Sequence, residues 1–380
     1  MEPWEQMKES GLYEEYYENG QLKYREDDIA GSDGLRWYKS YYENGRLESF
    51  GTWKDHRGTG PHKKYYKNGR LKEERDDAND GSGLRWIRKY YGNGKLKEEG
   101  TSKKGEVLGM YRKYYKSGAI ESVVTYDEKG WVGHCVWYYE DGSLEWEGDD
   151  IPDGSGRRWM KNYHPNGNLA ERFTIFDNEK HGEFVSYYEN GNIESVKQYQ
   201  FGMWNGVCRW YYENGELEEE SSFVDDEYDG LRRNYYEDGK LLSERNYKHG
   251  ERNGTCLTYY RNGKLHFETT YLADKPEGVF TEYYDNGVVN EISHCQKGKL
   301  NGPSSVYYPD GTLKKELQYV DDELEGICRW YYENGQLREE GLWNRGINEG
   351  FCRRYDEAGG ILEETEVIGG IRREREILCS

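Results

Sequence analysis

The dipeptide Tyr-Tyr recurs through this chain at an almost constant step, and a step of about two dozen residues leaves room for little except a stack of small similar units. It occurs at Tyr16-Tyr17, Tyr41-Tyr42, Tyr65-Tyr66, Tyr90-Tyr91, Tyr114-Tyr115, Tyr138-Tyr139, Tyr187-Tyr188 and Tyr211-Tyr212. It continues at Tyr235-Tyr236, Tyr259-Tyr260, Tyr283-Tyr284, Tyr307-Tyr308 and Tyr331-Tyr332, while Tyr163-His164 and Tyr355-Asp356 are degenerate copies that keep the beat. Every step is 24 or 25 residues, which gives fifteen units and no gap large enough for a separate domain.

Within a unit the order is Gly, four residues, Tyr-Tyr, one residue, Asn/Asp-Gly, one residue, an aliphatic, then acids, as in Gly206 through Leu217. Asn-Gly between two strand-like runs is a strong hairpin signal, and the expected connection is a two-residue type I′ turn in which both residues take positive φ. Ser117-Gly118 and Ala358-Gly359 are its weak versions. With Asn214-Gly215 as the turn, Tyr212 is expected opposite Leu217, Tyr211 opposite Glu218, Trp210 opposite Glu219 and Arg209 opposite Glu220. The last pair repeats as Glu14 with Arg25, Lys63 with Glu74, Arg88 with Glu99, Arg233 with Glu244, Arg329 with Glu340, and Arg353 with Glu364. Val185 with Val196 is apolar on both sides, and Lys161 opposite Arg172 is the one clash. Facing opposite charges support a register.

Strand alternation sorts the residues onto two faces. Around Tyr211 one face collects Cys208, Trp210, Tyr212, Leu217 and Phe223, and the other collects Val207, Arg209, Tyr211, Glu218 and Glu220. The expected fold is all-β: an elongated, open, twisted, single-layer array of about fifteen stacked antiparallel hairpins. At about 4.8 Å per strand it would be roughly 140 Å long before twist shortens it, with contacts only between neighbours. Residues 1–10 read as an N-terminal cap, 11–368 as the repeat array and 369–380 as a C-terminal cap or tail. Both caps are expected to guard bare sheet edges against end-to-end association.

Three units within 11–163 differ, because Asp27–Gly34, Asp76–Gly83 and Asp149–Gly156 replace the usual inter-hairpin aromatic with acids and a tight turn. Their oxygen-rich stretch from Asp77 to Ser82 invites a calcium reading, but the twelfth position counted from Asp77 is Arg88 where a bidentate Glu is needed. A solvated Asp-Gly turn is the expectation.

Composition limits function. Leu, Ile, Val and Phe are scarce, but 38 Tyr and 12 Trp supply the surface to bury. The formal net charge of -20 is wrong for nucleic acid, which needs a basic stripe, and for an anionic membrane. No apolar run approaches the length that spans a bilayer, and the first residues have neither the basic nor the apolar part of a secretion signal. Cys135, Cys208, Cys256, Cys328 and Cys352 share one repeat position, about 10 Å apart between adjacent units, too far for disulfides. They read as small buried hydrophobes, and unpaired thiols point to a reducing, cytoplasmic setting, or a virion if the source is viral, and not to secretion. The eight His residues are scattered, His56 and His62 included, and no nucleophile elbow, phosphate loop or metal-ligand set is present. No enzyme activity, cofactor or metal is expected. The feature with functional content is the aromatic face, with Trp137, Tyr139, Trp210, Tyr212, Trp330 and Tyr332 as candidate binding residues.

The string Tyr-Tyr-Glu-Asn-Gly-x-Leu-x-Glu-Glu resembles the variant MORN repeat (membrane occupation and recognition nexus), over about residues 11–368. It is similar to the form found in bacterial antitoxin-like proteins and in large DNA viruses such as marseilleviruses. The resemblance implies a stacked-hairpin sheet and a scaffolding or protein-binding role. Some MORN proteins contact lipids, which the acidic balance argues against here, and others carry a kinase or methyltransferase domain, for which the repeats leave no room. The leading expectation is a non-enzymatic scaffold for protein–protein interaction within a larger assembly such as a virion, with self-association open to it. The alternatives are an antitoxin or immunity protein that sequesters a basic toxin, and a membrane-associated nexus.

Overall fold

The computed structural model describes residues 11–55, 57–77, 83–151 and 154–374. The proposed N-terminal cap, residues 375–380 of the C-terminal tail, His56 and the Ala78–Ser82 part of the calcium-like loop lie outside the described residues. All described elements are strands. They fall into two compact units divided between Glu179 and Lys180, each an open antiparallel sheet in which strands pair with their neighbours along the chain.

One hairpin of the second unit shows the construction. Strands Gly206–Tyr211 and Leu217–Val224 pair with Arg209 opposite Glu220, Trp210 opposite Glu219 and Cys208 opposite Ser221. The charged pairs read from the sequence are all in place, including Glu14 with Arg25, Lys63 with Glu74, Arg88 with Glu99, Arg233 with Glu244, Arg329 with Glu340 and Arg353 with Glu364. Lys161 does stand opposite Arg172. It reaches away to Glu147 at 3.3 Å and lies over the Trp159 ring, which relieves the like-charge contact.

The turn itself differs from expectation. The Gly215 N–H donates to the Tyr212 carbonyl and the Tyr212 N–H to the Glu216 carbonyl, so the loop has three residues, with Glu213 and Asn214 at its centre. Only Gly215 has positive φ, at 91°, whereas the type I′ turn needs it at Asn214 as well. This is a type I turn closed by a glycine in the left-handed region, the other common hairpin loop. The longer loop moves the first pair by one residue, and Tyr211 stands opposite Leu217. A bulge at Glu218 then restores the expected register from Trp210 onward. Leu217 therefore sits beside Tyr211 and not on the Trp210 face.

The two-residue type I′ turn is present, but at the corners that join one hairpin to the next. Asp225 and Asp226 have φ of 49° and 69°, between the facing residues Val224 and Glu227. The glycine that leads each repeat has its own role: Gly230, at φ 109°, lies in a bulge that shifts the register between Ser221 and Phe223.

In the first unit two of the acid-bearing connections are wide loops closed by the N–H of Ile29 on Leu35 and of Ile151 on Arg157. The acids are matched by the arginines that follow: Arg36 meets Glu26 at 3.0 Å and Asp28 at 3.1 Å, and Arg158 meets Asp150 at 2.7 Å. Asp27 and Asp149 each accept the N–H of the next residue.

Burial follows from the single layer. With no second sheet to cover them, the most deeply buried side chains are mostly short ones with long neighbours. The most buried residues of the second unit are Cys208, Cys328, Ser195, Ser221, Ser243, Ser293, Val185 and Val367, all at 1% exposure or below. Over them lean rings from adjacent strands: Phe223 lies 5.1 Å from Trp204 and 4.6 Å from Tyr228, which is 5.1 Å from Tyr247. The expected aromatic face is thus more polar than its pattern suggested, with Glu219 and Ser221 sharing it with Trp210 and Cys208.

Candidate functional site

The repeat motif is chiefly a set of ladders between hairpins. The second tyrosine of each pair donates its hydroxyl to the main-chain carbonyl of the first tyrosine in the next pair. Among the described residues there are thirteen such bonds, six in the first unit and seven in the second, at 2.7–3.0 Å. Tyr139, Tyr212 and Tyr332 make three of them, to Tyr163, Tyr235 and Tyr355. These candidate binding tyrosines spend their hydroxyls inside the sheet.

Asparagines of the Asn-Gly pairs form a second ladder. Asn214 accepts the Glu216 N–H at Oδ1 (2.9 Å) and donates from Nδ2 to the Glu237 carbonyl (3.0 Å). Asn190, Asn262, Asn286 and Asn334 repeat the donation. Asparagine is thus used for its side chain, not for positive φ.

On the face that bears Arg209, arginines and glutamates alternate from hairpin to hairpin. Arg329 lies 3.6 Å from Glu316 and 3.5 Å from Glu340, and Arg353 lies 3.5 Å from Glu340 and 3.4 Å from Glu364. The first tyrosine of the pair joins this lattice, with Tyr331 donating to Glu316 and Tyr355 to Glu340. Burial, then the hydrogen bond to its glutamate, pushes the Tyr331 hydroxyl up to about 12, and Tyr90 and Tyr163 are held at about 12 in the same way. For Glu99, burial acts upward but is outweighed by hydrogen bonds from Tyr114 and Arg88, which hold the carboxyl below the usual range.

The candidate tryptophans lie on the opposite face, each half-buried against another indole. Trp137 stacks on Trp146 at 3.6 Å and 11°, Trp210 meets Trp204 at 5.6 Å, and Trp330 meets Trp343 at 6.2 Å. The Lys197 ammonium lies 5.0 Å from the Trp204 ring and 5.5 Å from that of Trp210. Burial raises the thiols of Cys135, Cys208 and Cys328, which leaves them poor nucleophiles. Among the described residues no group of three or more His, Cys, Asp or Glu is placed to hold a metal.

A third ladder, at the corners, was missed in the sequence. From the Asp225-Asp226 corner to Arg345-Gly346 two corner chemistries alternate, which makes the period of that stretch two repeats. Where the second corner residue is Asp, its carboxylate accepts an N–H from the preceding repeat: Trp204 to Asp226, Arg252 to Asp274 and Leu300 to Asp322. Where it is Gly, the acceptor is instead an acid just before the leading glycine: His249 donates its N–H to Asp229, Lys297 to Glu277 and Arg345 to Glu325. The sequence signal is the alternation of Asn205, Asp229, Asn253, Glu277, Asn301 and Glu325 at that one position.

The family described as MORN repeat variant matches residues 9–27, 87–104, 180–200, 204–225, 228–249, 252–273, 276–294, 300–321 and 324–345. No curated protein matches the chain. Among solved structures, the crystal structure of TcdB2-TccC3-TEV is 13% identical over 94% of this chain and 24% of that one, with a TM-score of 0.17. TcdB2-TccC3-Cdc42 is 12% identical over 94% and 25%, also at 0.17. A Photorhabdus luminescens Tc holotoxin pore is 12% identical over 93% and 18%, at 0.18. The chain spans a quarter or less of the length of these structures, and TM-scores this low carry no argument about it.

Proposed function

The chain is built of MORN repeats of the variant type, and on that premise we propose that it is a scaffold holding other proteins at a repeating surface, as a structural component of a larger assembly such as a virion. MORN repeats are interaction modules of a non-catalytic family. The observation that carries the finer reading is the set of inter-hairpin ladders. The Tyr hydroxyls, Asn amides and Arg–Glu lattice fix each hairpin on the next, so equivalent side chains recur about every 10 Å, two strand spacings. A sheet held this way is a ruler, and a regular partner can read it at several repeats at once. Trp137, Trp210 and Trp330, each half-buried against another indole, are the contact residues we assign. Free thiols at the described cysteines suit a reducing compartment.

A second reading has an observation of its own. At the Asn-Gly edge of the second unit Glu189, Glu213, Glu237, Asp285, Glu333 and Glu357 are exposed at matching positions, a comb suited to the basic toxin of an antitoxin pair. Cross-linking with mass spectrometry in native lysate tests both. Links to an abundant assembly protein at several repeats support the scaffold. A single small basic protein, linked along the acidic comb and released by salt, replaces it with the antitoxin. Capture of no protein overturns both.

A further inference from the structure

The second unit has two unlike edges. The Asn-Gly edge is polar and acidic, whereas the corner edge carries exposed aliphatics: Val224, Leu272, Val320, Ile347 and Ile368 are all 45–57% exposed there. Monomeric proteins do not often line up apolar side chains in this way without a partner.

The charges along that edge say what the partner is. Four consecutive corners run Leu272-Ala273-Asp274-Lys275, Gln296-Lys297-Gly298-Lys299, Val320-Asp321-Asp322-Glu323 and Asn344-Arg345-Gly346-Ile347. The Lys275 stem passes beside Gly298 and adds a third positive charge to the lysine corner, and the next corner carries three acids. The Lys299–Asp321 pair at 3.8 Å leaves both side chains more than half exposed, so these charges are little spent within the chain. Read in reverse, the same four corners form the complement of themselves. Lys297 then meets Asp322, Gln296 meets Glu323 and Lys299 meets Val320 beside Asp321, while Arg345 meets Asp274 and Leu272 meets Ile347. A two-fold axis produces this reversal, and a two-fold interface is the commonest between identical chains.

We propose that this corner edge is a homodimer interface, with the two-fold axis midway between the Lys297-Gly298 and Asp321-Asp322 corners, so that the lysine corner of each copy faces the acidic corner of the other. The proposal rests on the scaffold reading and names one of its partners as a second copy of the chain. The contact is lateral, between corners, and leaves the acidic comb and the tryptophan face open for other proteins.

Sedimentation velocity of the full chain over a range of concentrations tests it, with two charge-swapped variants. One is Lys297→Glu with Lys299→Glu, and the other is Asp321→Lys with Glu323→Lys. Each places at one corner the charge already found at the equivalent positions of the neighbouring corner, and Lys297 shows that lysine is accepted at the positive φ of Asp321. The Asp322 cap on Leu300 is left intact. The wild-type chain is expected to dimerise, each variant alone to dimerise at least about tenfold more weakly, and an equimolar mixture of the two to recover most of the affinity. In the mixed dimer both contacts pair opposite charges, whereas each pure variant opposes like charges twice. Recovery in the mixture therefore also excludes misfolding as the cause of the loss. A wild-type chain that stays monomeric, variants that dimerise like wild type, or a mixture that fails to recover would overturn the proposal. A monomer that still cross-links to an assembly protein in lysate would remove the dimer and leave the scaffold standing.

Discussion

The Tyr212 hydroxyl donates to the main-chain carbonyl of Tyr235 at 2.8 Å, tying one hairpin to the next across 23 residues of chain. The residues that supply the ruler in the sequence are therefore the ones that hold the units in step. A half-buried main-chain carbonyl of the next hairpin gains a partner.

Replacing Tyr212 by Phe keeps the ring and removes the bond. The expected loss is about 1 kcal/mol per staple, and Tyr332→Phe should cost a similar amount because it makes the same bond to Tyr355. Urea unfolding measures the loss. Hydrogen exchange should place it in the strands on either side of the substituted turn, since coupling in a repeat stack is between neighbours.

Asn214 distinguishes the two possible turns. In a type I′ turn, Asn214→Gly would be neutral or favourable, because glycine is the better residue at positive φ. In the loop found here the change removes two side-chain bonds and should destabilise by about 1–2 kcal/mol. Gly215→Ala should also destabilise, by about 1 kcal/mol, through its φ of 91°. Urea midpoints of the two variants check this.

His62 sets a pH response in the first unit. Burial first, then Arg75, lowers its pKa from 6.5 to about 4. The unfolded chain takes up this proton near pH 6.5 while the folded one resists until about pH 4. Stability from this group is therefore complete above 6.5 and falls as the pH drops through that window. Thermal melts between pH 7 and 4 should show a shallower slope for His62→Gln than for the parent.

The Arg–Glu lattice looks strong and should prove weak pair by pair. Arg329 is 39% exposed, so Arg329→Met is expected to cost no more than about 1 kcal/mol. Most of that difference from the parent should vanish in high salt. A cost of several kcal/mol that is insensitive to salt would show that the lattice is tighter than its exposure implies.

Thiol labelling reads the single-layer packing. Cys208 and Cys328 are fully buried, and Cys295 is half-buried. In a Cys379→Ser background, a thiol reagent should modify Cys295 first and reach the buried thiols only after opening of the sheet. Equal rates at Cys208 and Cys295 would contradict the covered row.

Much of this was legible because a repeat tests its own register. The charge match of Arg209 with Glu220 recurs at Arg233, Arg329 and Arg353, and the pairing is found at all four. The turn type was not legible. A two-residue turn, and a three-residue loop followed by a bulge, give the same pairing beyond Trp210, so the charge pattern cannot separate them. The roles of Tyr212 and Asn214 were hidden for a related reason. Their partners are main-chain carbonyls of Tyr235 and Glu237, and a carbonyl looks the same in every sequence.

By itself the sequence determined the period, the antiparallel hairpins, the facing charges and the small buried cysteines, because each of these depends on spacing along one strand or across one hairpin. Only the tertiary structure decided which tyrosine is a staple and which turn is type I′. It also decided which carboxylate each corner N–H of the second unit meets, although the alternation of Asn and acid before the leading glycine stands in the sequence. Those depend on the distance between one hairpin and the next, which stacking sets and no local pattern encodes.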